Sequence, residues 1–235
     1  VSATLFYAVM GAIWLFGIVV RRSMKATYAR YSSVPNRAGL EGAEVARRIL
    51  DANGLEKVRL ELAAGTLTDH YDPRTLAVRL SLDNARSASV AAMAVSAHEA
   101  AHALQDADDY SPLELRSVIF PIIQAGSRFG IPLAVLGSML GSHSLFLIGM
   151  VAYIGSTIFH FVTLPVEFNA SRRALVQLEK LGITRGAQEV DEARATLKAA
   201  AMTYVASAAS AAGYVLLIGF DVFRALGGAR RPRPV

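Results

Sequence analysis

Four apolar blocks interrupt the chain. Residues 3–20, ATLFYAVMGAIWLFGIVV, run without a charge, long enough for a helix to cross the hydrocarbon of a bilayer. Residues 117–140, 145–164 and 199–220 form three further blocks. The first of these carries Gln124, Arg128 and Pro132, and the last is rich in alanine and serine, small residues that let helices approach closely. The pattern predicts about four transmembrane helices. The blocks at 117–140 and 199–220 also suit buried or re-entrant helices, given their polar content.

The polar stretches have periodicities of their own. NRAGLEGAEVARRILDANGL reads as an amphipathic helix ending near Asn53, with Val45, Ile49 and Leu50 on one face and Gly54 as its stop. KVRLEL, GTLTDHYD and LAVRLSL read as short strands, by alternation and by the turn residues between them. Helical spacing returns from about 85 to 105, and DADDYSP ends it. Residues 166–198 are amphipathic and charged, and VEFNASRRAL predicts a new helix after the third block. The expected division is an anchor at 1–22, a catalytic region at 23–115, a two-span hairpin at 116–165, a helical segment at 166–198, a fourth span at 199–222 and a tail at 223–235.

Composition agrees with the blocks. Apolar residues make up 53% and charged ones 18%, with mean hydropathy +0.37, where a soluble domain has about 25% charged. The fold class expected is therefore a mainly α integral membrane protein with a small β-sheet. Cysteine is absent, which excludes disulfides, thiolate metal ligands and a thiol nucleophile. Arg21, Arg22, Lys25 and Arg30 follow the first block. A cleaved signal peptide has the reverse order, charge before the apolar core. We therefore expect an uncleaved anchor in the cell inner membrane, with the polar region on the cytoplasmic side. The basic tail after Phe220 then falls outside, against the charge rule. Because the basic charge flanks apolar blocks, it predicts a lipid bilayer as partner and no nucleic acid.

The chemistry is concentrated in AVSAHEAAHALQ, residues 94–105. A helix stacks residues i and i+4 on one face, so His98 and His102 can converge on one Zn²⁺. Glu99 falls on the adjoining side, where a carboxylate can deprotonate a water at the metal. This is the HExxH spacing of metal-assisted hydrolysis. Two satisfied histidines on an ordinary helix are the alternative, but ionisable groups are costly in so apolar a helix. A catalytic zinc needs a third protein ligand. His70, His143, His160 and the carboxylates of 166–198 are the candidates. Glu167 is favoured by topology, since it lies just past the third block, on the HExxH side if the second and third blocks form a hairpin.

The chain resembles the membrane-bound zinc metallopeptidases of the YugP type over nearly its whole length. The likeness rests on LTDHYDPRTLAVRLS, AVSAHEAAHALQ, LPVEFNASRRAL and AAAMTYVA. It implies a zincin-like catalytic domain with a Zn²⁺ cofactor. The related HtpX and CaaX-prenyl-protease lines take their third ligand from the glutamate of an EFxAD segment. EFNAS matches with Glu167 in the ligand place, and Ser171 stands where those lines have aspartate.

In HExxH peptidases a substrate adds as an extended strand to a sheet edge beside the metal. Leu76, Val78 and Leu80 are the expected edge. His70 and Asp72 could orient a ligand or sit in the DP turn. Tyr204, near the start of the fourth block, could donate to the oxyanion of the transition state or sit as an interfacial aromatic. The expected function is a membrane-embedded zinc endopeptidase with Glu99 as general base, acting on a peptide or protein substrate, membrane-associated ones included. The rival is a non-catalytic, zinc-stabilised membrane scaffold or assembly partner.

Overall fold

The structure, a computed structural model, describes residues 3–228, with side chains for 4–120, 123–213 and 215–216. Seven helices and three strands follow in the order α1 (Ala3–Ser32), α2 (Gly42–Ala52), β1 (Arg59–Ala63), β2 (His70–Asp72), β3 (Ala77–Ser81), α3 (Leu82–Ala85), α4 (Val90–Ala107), α5 (Ser111–Met139), α6 (His143–Lys180) and α7 (Ala187–Gly228). They divide into two compact units.

One unit comprises Arg21–Ile119 and Val162–Thr203. Its core forms where α2 lays Val45, Ala46, Ile49 and Leu50 on α4, all fully buried with Met93, Ala94 and Ala97. The alanines of α4 leave room for this approach. Gly42 opens α2 against a backbone carbonyl, and a Cβ there would lie 2.3 Å from the oxygen of Asn84. The polar half of α6 adds Ala170, Ala174 and Leu178 to the same core.

Helix α4 begins later than the periodicity predicts. Ser89 caps it by accepting from the backbone N–H of Ala92. Just upstream, Pro35 bridges to Ser89 and the N–H of Asn36 donates to Ala88, so residues 88–89 are held extended.

The sheet corrects the expected substrate edge. Its order is β1-β3-β2, with β1 parallel and β2 antiparallel to β3. Val78 and Leu80 therefore lie on an internal strand paired on both sides, and both are core residues. Leu76 precedes the strand, exposed and at φ 47°. Beyond β2, the N–H of Ser81 donates to Asp69. No backbone row of β3 is left for another chain, and the free edges belong to β1 and β2.

A second correction concerns α6. Instead of a new helix after the third apolar block, one 38-residue helix runs through Pro165. Proline removes one N–H from the ladder and crowds the carbonyl four residues back, yet the turns on either side carry the helix onward.

The other unit comprises the chain up to Val20, Phe120–Phe161 and the chain from Tyr204 on. Here α5 and α6 pack antiparallel at glycines. A Cβ on Gly137 would lie 2.3 Å from the nitrogen of Phe146, and one on Gly149 would lie 2.4 Å from the nitrogen of Ala134. Backbone contact this close is a habit of membrane helices. Among the described residues, α1 over Thr4–Ser32 and α6 are long and apolar enough to cross a membrane. A third span arises if Ser111–Phe120 and Ile123–Met139, inclined by 45°, count as one. Their outer faces are apolar, with Trp14 63% and Val151 69% exposed. The expected fourth span, 199–220, lies on α7 and partly outside the described side chains.

Candidate metal centre

The HExxH turn of α4 faces Glu167 on α6. Nε2 of His98 lies 3.1 Å and Nε2 of His102 lies 3.7 Å from Oε2 of Glu167. One ligand atom from each of the three residues falls within 4.8 Å of the others. Zinc bonds of about 2.0–2.2 Å in a tetrahedron hold neighbouring donors roughly 3.3–3.6 Å apart. The two distances bracket that span. Two imidazole nitrogens and one carboxylate oxygen are also the donor chemistry that zinc takes, so these residues fit the ion.

Each of the three side chains is held by a further residue. Arg116 on α5 donates from Nη1 to Oε1 of Glu167 at 2.8 Å. The Nδ1 of His102 lies 2.9 Å from Oε1 of Gln105, and the Nδ1 of His98 lies 3.3 Å from Oγ of Ser171. Ser171 thus occupies the support position that aspartate holds in EFxAD, with a hydroxyl in place of a carboxylate. Arg116 had no mark in the sequence beyond a charge at the edge of an apolar block. Gln105 could have been found, since i+3 puts it on the helix face of His102.

Glu99 is not in the ligand group. It lies buried on α4, and burial pushes its carboxyl up to about 7; His98 and Arg116 oppose the shift, while Glu167 and Asp69 add to it. The presence of Asp69 among these neighbours puts the start of β2 within electrostatic reach of the HExxH turn. Tyr71 on β2 also donates to Asp106 of α4 at 2.7 Å.

His70 and Asp72 are committed elsewhere. His70 is exposed, with Nδ1 2.8 Å from the carbonyl oxygen of Thr68. Asp72 accepts from the N–H of Arg74, the hydroxyl of Thr75 and the guanidinium of Arg79. Its place is in the turn, not at the metal group. Tyr204 lies on α7.

The chain is similar to known sequences over most of its length. The model of the family described as "Putative neutral zinc metallopeptidase" matches residues 6–218. A protein of Bacillus subtilis (strain 168) named "Putative membrane protease YugP" is 45% identical over 186 residues, 79% of this chain and 82% of that protein. No solved structure matches the chain. A match to nearly every described element, the HExxH turn and the EFNAS segment included, places the chain in this family of neutral zinc metallopeptidases.

Proposed function

We propose that the protein is a membrane-embedded zinc endopeptidase of the HExxH type, with a zincin-like catalytic unit and Glu99 as its general base. The observation that carries this reading is the convergence of His98, His102 and Glu167 beside a buried glutamate that is not one of them. A structural zinc site closes its fourth position with protein and has no use for such a base. That is the point against the scaffold.

When bound by the three residues, zinc supplies Lewis acidity to a water and to a scissile carbonyl. The protein's own groups do the rest. Glu99 takes the proton of the attacking water and returns it to the leaving amine. The amide gains hydroxyl on carbon and hydrogen on nitrogen, so the balance is that of hydrolysis. Ser171, Gln105 and Arg116 hold the three ligands in place. The free edge of β2 at His70–Asp72 offers backbone groups to an extended peptide, beside the helix that Tyr71 grips.

The same reading takes the four apolar blocks as spans. It puts the metal unit on the cytoplasmic side of the inner membrane, because Arg21 and Arg22 follow the first block. Substrates are then proteins or peptides at the cytoplasmic membrane face. The test is cleavage of an unfolded peptide by wild type and Glu99→Gln, with zinc measured on the same samples. The expected result is a zinc-loaded variant slower by about 10²–10⁴. A zinc-loaded variant as fast as wild type would remove Glu99 from the mechanism.

A further inference from the structure

Gln105 is fully buried, and its whole side-chain amide is bonded. Oε1 lies 2.9 Å from Nδ1 of His102. Nε2 donates to the carbonyl of Val166 and to Oδ1 of Asn169, both at 2.9 Å. The same Oδ1 accepts from Nε of Arg173 at 2.8 Å. Arg173 is itself tied to Asp108, with its guanidinium 5.9 Å from the centre of the Tyr110 ring.

The direction of every bond in this chain follows from its ends. An arginine N–H donates and never accepts, so Asn169 must turn its oxygen to Arg173. That oxygen and the carbonyl of Val166 can only accept, so each must meet a donor of Gln105. Both demands turn the NH₂ of Gln105 toward α6 and leave its oxygen toward His102. A neutral His102 ring must then carry its proton on Nδ1 and keep the lone pair on Nε2. Nε2 is the atom that faces Glu167.

We propose that Gln105 is a positioning residue that sets the ring tautomer of His102 for metal binding, with its polarity imposed by Arg173 through Asn169 and by the Val166 carbonyl. The proposal rests on the metal reading above. It also accounts for an amide where a carboxylate usually supports a ligand histidine. Glu99 and Glu167 already stand buried here, and a third carboxylate would be costly beside them. Because Val166 precedes Glu167, the same side chain joins the His102 ring to the turn of α6 that holds the third ligand.

The experiment uses the full chain in detergent, labelled with ¹⁵N-histidine and stripped of zinc. Long-range ¹H–¹⁵N spectra identify the protonated ring nitrogen of His102, and chelator competition gives zinc affinity. Wild type should show Nδ1–H. Gln105→Met, close in shape but with no acceptor, should lose that preference and bind zinc about 10–100-fold more weakly. Gln105→Glu cannot donate to Val166, so it fits the packing worse, yet it keeps an acceptor and should retain Nδ1–H. A purely structural role would favour Met over Glu. A neutral His102 ring with its proton on Nε2 in wild type overturns the proposal whatever the variants do. So does a folded Gln105→Met with the wild-type tautomer and affinity. A wild type that binds no zinc would instead strike the metal reading, and its tautomer would still decide this one.

Discussion

Arg116 holds one oxygen of Glu167, and the two imidazoles share the other. Nη1 lies 2.8 Å from Oε1, while Oε2 faces His98 and His102 at 3.1 and 3.7 Å. The carboxylate is only 2% exposed, so its charge needs a partner that moves with it. The arginine also leaves Glu167 a single oxygen for a metal. Arg116→Ala should weaken zinc binding by about 10–100-fold, read by chelator competition. Arg116→Lys should fall between, since an ammonium supplies the charge without the planar fork. Unchanged affinity in Arg116→Ala would mean that Glu167 is held without it.

Ser171 offers His98 a hydroxyl at 3.3 Å. A carboxylate there would make a charge-assisted bond, roughly twice as strong as a neutral one. Because residue 171 is only partly buried, unlike Gln105, zinc affinity should rise in Ser171→Asp and fall in Ser171→Ala. An aspartate variant weaker than wild type would show that the site does not accommodate the added charge.

Asp72 belongs to the fold and not to the metal group. Hydrogen bonds from Arg79, Thr75 and the N–H of Arg74 outweigh burial and lower its pKa from 3.8 to about 2. A carboxyl depressed on folding adds stability that is complete above its unfolded value and lost as pH falls through the folded one. Asp72→Asn should thus cost about 1 kcal/mol near neutrality. The gap to wild type should close between about pH 4 and pH 2. Thermal unfolding across that range reads it, and zinc content should not change. A variant that lost zinc at neutral pH would return Asp72 to the site.

Orientation is open to direct labelling. Cysteines introduced at Lys57 and Arg185 should both be shielded from an impermeant thiol reagent in intact cells, while one at Ser142 should react. The reverse pattern would invert the protein. Different answers at 57 and 185 would break the four-span reading, because both positions lie in one compact unit.

Much of this protein is written in local spacing. His98 and His102 share a helix face because four residues make about one turn, and no tertiary contact is needed for that. The apolar runs at 3–20 and 145–164 mark helices for the same reason: an uncharged run of that length has few other uses. The amphipathic face of α2 and the three strands were legible from period and turn residues. Topology favoured Glu167 among several candidates, and EFNAS singled it out through likeness to relatives.

What the chain could not disclose is pairing. Alternation makes Leu76–Leu82 a strand but says nothing of its neighbours, and order β1-β3-β2 put it inside the sheet. A proline suggests a helix end, but whether α6 stops at Pro165 depends on the turns around it. Arg116 and Glu167 are 51 residues apart, and Gln105 and Asn169 are 64 apart. Bonds of that kind leave no period in a sequence, because each partner is set by where two helices cross. The candidate metal ligands on α4 were therefore brought to one face by the helix itself. Of the residues that aim the group, Gln105 shares that helix, while Ser171 and Arg116 were brought to it only when α6 and α5 folded into place.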